Sequence, residues 1–156
     1  MIADKIFPIL QSRTPKILKG GQWRPAAVLV PIQERADGDY LVLTQRAAML
    51  SSHRGQVAFP GGRVDHEDSG LLAAALRESR EEIGIRPPDV RVLGQLDQVT
   101  AAASYLVTPF VGVIPFPYDF RLNPAETTAV FFVPMSALLD PGCFSMEPRP
   151  FSQSGR

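Results

Sequence analysis

Three glutamates, Glu78, Glu81 and Glu82, are spaced i, i+3 and i+4 in the segment Arg77-Glu78-Ser79-Arg80-Glu81-Glu82. On a helix that spacing projects all three from one side. Crowded carboxylates repel and raise one another's pKa unless a cation joins them. A hard divalent cation such as Mg²⁺ or Mn²⁺ resolves the repulsion, because it takes oxygen ligands. The cluster also falls near the C-terminal end of its helix, where the dipole disfavours negative charge. A local rule broken in this way tends to coincide with function. Arg77 and Arg80 supply compensating charge, so the same six residues also read as a solvated face of ordinary Arg–Glu pairs.

The elements around the cluster weigh against the plain charged face. Periodicity predicts a helix over residues 69–83, with Asp68 or Ser69 as N-cap and Leu72, Leu76 (or Ala75) and Ile83 as a buried stripe, Ser79 between them. Gly84 stands where a left-handed C-terminal cap is wanted, apolar Ile85 follows, and Pro87-Pro88 prevents continuation. Upstream, a short strand over residues 56–59 is stopped by Pro60-Gly61-Gly62. A backbone without Cβ atoms can approach a metal, and a glycine carbonyl can be an oxygen ligand. Residues 26–32 form a continuous apolar run that reads as a buried strand, and residues 40–46 return across a turn at 36–39. Beyond the helix, residues 91–97, 106–114 and 129–134 read as strands and 135–139 as one helical turn. Strands flanking one central helix, without regular βαβ alternation, indicate an α+β fold.

With Gly-Gly turn, acidic helix and glycine cap in this order, the segment resembles the Nudix box, G-x5-E-x7-R-E-U-x-E-E-x-G-U, where U is a bulky aliphatic residue. Gly62, Arg77, Glu78, Glu81, Glu82, Gly84 and Ile85 fill the pattern, while Asp68 holds the first acidic position one residue early and Ser79 replaces an aliphatic. The resemblance implies an α/β/α sandwich with a mixed central sheet and an acidic catalytic helix. It implies hydrolysis of a nucleoside diphosphate linked to another group, with Mg²⁺ or Mn²⁺ as cofactor. Glu78 and Glu82 would be metal ligands, Glu81 a third ligand or the base for water. The Gly62 carbonyl would join the coordination shell, and Arg77 would hold the glutamates in place.

The residues before the box are similar to the signature of the coenzyme A pyrophosphatase subfamily, L-L-T-x-T-S/A-x3-R-x3-G-x3-F-P-G-G. Thr44, Ala47, Gly55, Phe59, Pro60, Gly61 and Gly62 match at the right spacing; Ser51 replaces the signature arginine and Arg46 its second threonine. Val107-Thr108-Pro109 and Val133-Pro134-Met135 extend the resemblance over residues 24–140. It implies cleavage of coenzyme A to 3′,5′-ADP and 4′-phosphopantetheine. Arg46, His53 and Arg54 would form a phosphate-binding rim and Tyr105 a platform for adenine; exposed loop positions for His53 and Arg54 and solvent-edge packing for Tyr105 are the plainer readings. Glu126 is a candidate distal ligand, whereas Ala129 stands where the subfamily has a second glutamate. ADP-ribose, NADH or a dinucleoside polyphosphate remain alternative substrates. A non-catalytic nucleotide-binding domain of the same family also stays open, as does a mere scaffold.

Bulk properties narrow the partners. Formal net charge is zero and pI about 6.7, which speaks against a general nucleic-acid or membrane-surface binder; the small nucleotide-type partner is what the resemblance implies. The single cysteine, Cys143, and the lack of a signal-peptide layout or membrane-length apolar run favour a reducing, cytoplasmic location. Residues 1–23 read as a lead-in with a short helix near 3–11, residues 24–140 as the domain, and 141–156 as an irregular tail. The subfamily normally ends in a further strand and helix, so the tail reads as shortened and one sheet face as short of cover. Exposed apolar sheet favours association, hence an expected homodimer.

Overall fold

The computed structural model describes residues 1–48, 55–101 and 104–146. The uninterrupted apolar run after Trp23 becomes the long strand β1 (Arg24–Arg35), which is buried on both faces. That explains why it shows no polar alternation. β1 pairs in parallel with β7 (Tyr105–Ile114) along its length. Its other edge is divided: residues 32–35 pair with β2 (Gly38–Arg46) and residues 26–28 with the short β4 (Gly61–Arg63), both antiparallel. β3 (Val57–Ala58) and β8 (Thr127–Pro134) pair with β2, and β5 (Arg91–Gln95) and β6 (Val99–Ala101) pair with β7. The result is one mixed eight-stranded sheet.

A helix lies on each face. α1 (Ile2–Ser12) buries Ala3 and Leu10 against Val30, Ile32, Leu41, Leu93 and Val111. Its first amides are held by carboxylates that face each other across the β1–β2 hairpin: Ile2 N–H donates to Asp39 (3.0 Å) and Ala3 N–H to Glu34 (3.1 Å). On the opposite face α2 (Leu71–Ile83) sets Ala74, Ala75 and Ile83 against Ala27, Leu29, Val42, Phe110 and Ile114. Small alanines let this helix approach β1 and β4 closely. The observed architecture is the α/β/α sandwich expected, with its mixed sheet.

Several local expectations are revised. α2 begins at Leu71 with Gly70 as N-cap and no side-chain cap, so neither Asp68 nor Ser69 caps it. The buried stripe is centred on Ala75, Ser79, Glu82 and Ile83, with Leu72 and Leu76 only half-buried. Ser79 is fully buried where an aliphatic residue was expected, and its hydroxyl is satisfied by the Ala75 carbonyl (2.7 Å). β4 and β6 are too short to show a period. Both sheet faces carry a helix; exposed apolar side chains are spread along the chain, from Phe7, Ile9 and Ile17 near the start to Phe131 and Phe132 on β8 and Leu138 and Leu139 after it. Among the described residues no helix is long and apolar enough to cross a membrane.

Candidate active site

The site lies where β1 parts company with β2 and β4 takes its place. Leu29 N–H donates to the Pro60 carbonyl (2.9 Å) and Val64 N–H to the Pro25 carbonyl (3.0 Å), so β4 is zipped onto β1 at both ends. Gly61 has φ +155, and a Cβ on it would stand 2.6 Å from the Val28 Cα; only glycine allows this approach. In the same register Gly62 is opposite Ala27, which makes 27 and 62 a directly hydrogen-bonded pair of the ladder. The Gly62 carbonyl therefore turns toward β1. What Gly62 gives the site is the absence of a side chain: a Cβ would lie 2.6 Å from the Glu78 carboxyl carbon. It is Gly61 that faces the acidic helix, its N–H donating to Glu82 Oε2 (3.3 Å).

α2 lays Glu78 and Glu82 over this glycine floor. Glu82 is buried, and burial pushes its carboxyl up to about 7; Glu78 and Glu126 add repulsion, while the Gly61 amide and Arg46 pull it down. Burial likewise raises Glu78, opposed by Arg77 and reinforced by Glu81 and Glu126. Glu126, just before β8, is thus electrostatically joined to both, and its Oε2 is buried with no hydrogen-bond partner. Asn123 fixes its approach: Asn123 N–H donates to the Glu82 carbonyl (2.9 Å), and the Asn123 carbonyl accepts from Glu126 N–H (3.0 Å).

Arg77 spans the mouth of the cluster. It grips Asp68 with two parallel bonds (2.9 and 3.0 Å), donates to Glu78 (2.9 Å) and to the Arg63 carbonyl (3.1 Å), and reaches Glu81 at 3.3 Å. The Arg77 guanidinium holds the Asp68 carboxyl below its usual value. Asp68 is therefore the anchor of Arg77, a role that needs tertiary proximity and carries no local signal. Glu81 is exposed. Arg46 lies behind the cluster, with NH1 3.9 Å from Glu82 Oε1 and a buried Nε without a partner. Tyr105 is half-buried at the start of β7, across β1 from β4. His53 and Arg54 lie outside the described residues, as does Ser51.

Among the described residues no three His, Cys, Asp or Glu side chains already stand close enough together to hold a metal ion. The cluster is nonetheless suited to a divalent cation: a buried orphan oxygen on Glu126, a carboxyl on Glu82 lifted by burial, and a floor kept clear for Glu78. All three carry oxygen donors, which hard cations prefer. Chemically, the arrangement can gather a cation against a phosphate while Arg77 keeps the carboxylates in register.

Comparison with known proteins agrees with this reading of the fold. An uncharacterized Nudix hydrolase, NudL, from Citrobacter koseri is 48% identical over 116 residues, 74% of this chain and 60% of the relative. The chain thus spans about three fifths of the length of the curated relatives it matches. Among solved structures, a Caenorhabditis elegans Ap4A hydrolase binary complex superposes with a TM-score of 0.62 at 22% identity, covering 71% of this chain and 80% of that one. The NUDIX domain of Shewanella oneidensis NrtR, complexed with ADP ribose, gives 0.56 at 20% identity, covering 85% and 84%. The pattern of the NUDIX domain family matches residues 23–153, and the chain belongs to that family.

Proposed function

We propose that the chain catalyses divalent-cation-dependent hydrolysis of a nucleoside-diphosphate-linked compound, with coenzyme A or a derivative as substrate and 3′,5′-ADP and 4′-phosphopantetheine as products. The observation that carries the reaction class is the under-neutralised carboxylate group of Glu78, Glu82 and Glu126 set against Gly61-Gly62. Family members generally use divalent metals, and Mg²⁺ or Mn²⁺ fits an all-oxygen donor set. When bound, the cation neutralises diphosphate charge and lowers the pKa of a water.

The chain's own groups divide the work. Glu78 and Glu82 hold the cation with Glu126 as the distal ligand. Glu81, exposed beside them, receives the proton from water. Arg77, anchored by Asp68, keeps Glu78 and Glu81 aligned and does not touch substrate. Arg46 offers its guanidinium to phosphate oxygens, and Tyr105 stacks on the base. A cytoplasmic setting suits such a small-molecule enzyme.

Coenzyme A is favoured by the segment before the box. In the structure its residues support the turn that leads to Gly61-Gly62: Thr44 Oγ1 donates to the Ala58 carbonyl (3.0 Å), Phe59 packs on the core beneath α1 and Pro60 is buried. The test offers coenzyme A with Mg²⁺ or Mn²⁺ beside ADP-ribose, NADH and Ap4A, and identifies products by chromatography. Release of 4′-phosphopantetheine is expected. Turnover of another compound with none from coenzyme A overturns the substrate; no turnover of any overturns the reaction class.

A further inference from the structure

A second cleft, of about 740 Å³, opens at the far end of α2, between the helix, the connection to β5 and the β7–β8 connection. Arg80, Arg86 and Arg121 rim it; Pro115, Pro117 and Tyr118 line its apolar side. Arg80 is two residues from both Glu78 and Glu82, so it projects from the opposite side of the helix. This cleft is separate from the acidic cluster.

Its arginines are not needed to finish the helix. A basic residue in a last turn ordinarily caps free carbonyls. Here backbone amides do so: Gly84 N–H donates to Arg80 O (3.0 Å), Ile85 to Ser79 O (3.3 Å), Arg121 to Ile83 O (2.9 Å) and Asn123 to Glu82 O (2.9 Å). Nor are the guanidinium charges fully matched. Arg86 is taken by Asp89 in a two-bond grip (2.8 and 3.1 Å). Arg121 reaches Asp119 only at 3.4 Å with both side chains more than 80% exposed, a pairing worth little. Among the described residues no carboxylate lies within ion-pair distance of Arg80, which is exposed. The apolar side, by contrast, is rigid. Tyr118 OH donates to Asp89 (2.7 Å) and accepts from Arg86 N–H (2.9 Å), which fixes its ring as a wall.

From this geometry we infer that the cleft binds a phosphate-bearing organic molecule, its phosphate between Arg80 and Arg121 and its apolar part against Pro115, Pro117 and Tyr118. Guanidinium groups with spare donors suit phosphate oxygens, and proline and tyrosine faces suit a flat ring. The inference does not depend on the proposed reaction. The segment that supplies Arg121 also supplies Asn123 and Glu126, so a ligand here bears on the backbone that delivers Glu126.

The experiment titrates ADP calorimetrically into the full chain in EDTA, with Arg80→Ala/Arg121→Ala and Arg46→Ala variants in parallel. Binding is expected in the parent and in Arg46→Ala, and about tenfold or more weaker in the double variant. The Arg121 and Asn123 amides should exchange more slowly when ADP is bound. Unchanged affinity in the double variant overturns the inference, as does loss in Arg46→Ala with retention in the double variant. Absence of binding by the parent at millimolar ADP also overturns it. Adenosine binding as tightly as ADP overturns the phosphate-led part; inorganic pyrophosphate binding as tightly as ADP overturns the apolar wall.

Discussion

Glu82→Gln separates the stability of this fold from its chemistry. Burial is the chief cause of the raised Glu82 carboxyl, and Glu78 and Glu126 add to it. A carboxyl moved from 4.5 to about 7 is ionised in the folded chain at a cost of about 3 kcal/mol. Because the folded value is the higher one, the stabilising contribution of neutral Glu82 is complete below about 4.5. It is lost as pH rises through about 7. Glutamine keeps the neutral shape and an acceptor for the Gly61 amide. The side chain is 8% exposed, so solvent screens little of the effect. Urea unfolding in EDTA should find Glu82→Gln equal to the parent near pH 4.5 and more stable by up to about 3 kcal/mol at pH 8.5. The same variant should lose turnover. A variant less stable than its parent at pH 8.5, or a difference that does not change with pH, refutes the reasoning.

Asp68→Ala frees Arg77 from its two-bond grip; thermal unfolding should record a loss of about 1–3 kcal/mol, with kcat falling by about tenfold or more. Unaltered kcat would contradict the anchoring role. Gly62→Ala brings a Cβ to 2.6 Å from the Glu78 carboxyl carbon; kcat should drop about a hundredfold while circular dichroism stays unchanged, and full activity would show that Glu78 does not need this floor. Ser79→Ala should shift stability by no more than about 0.5 kcal/mol, since its hydroxyl is satisfied inside the helix; a larger loss in urea unfolding would indicate a partner outside α2.

What the sequence makes legible is what is local. The register from Arg77 to Ile85 follows from helical pitch and a glycine cap, and Gly84 indeed takes φ +77 with its amide bonded to Arg80 O. Asp68 is the opposite case. Its position before an apolar run reads as a helix cap, but the extra residue lets the loop curl so that Asp65 N–H donates to Asp68 Oδ2 (2.7 Å) while the carboxylate turns to Arg77. Such a choice between a near amide and a distant guanidinium depends on tertiary proximity. The two glycines are distinguished only by strand register, which places Gly61 beside Glu82 and Gly62 beneath Glu78. Glu126 gains its meaning from Asn123, whose backbone ties the approach to β8 to the end of α2. Of the three residues proposed as a phosphate rim, Arg46 is among the described residues and His53 and Arg54 lie outside them.

The central claim is that Glu78, Glu82 and Glu126 together hold a divalent cation. Titration of the full chain with Mn²⁺, followed by electron paramagnetic resonance at pH 8, tests it without any substrate. The parent should bind Mn²⁺ at micromolar concentrations, and Glu82→Gln and Glu126→Gln should each bind it about tenfold more weakly or worse. Equal binding by all three proteins would contradict the account.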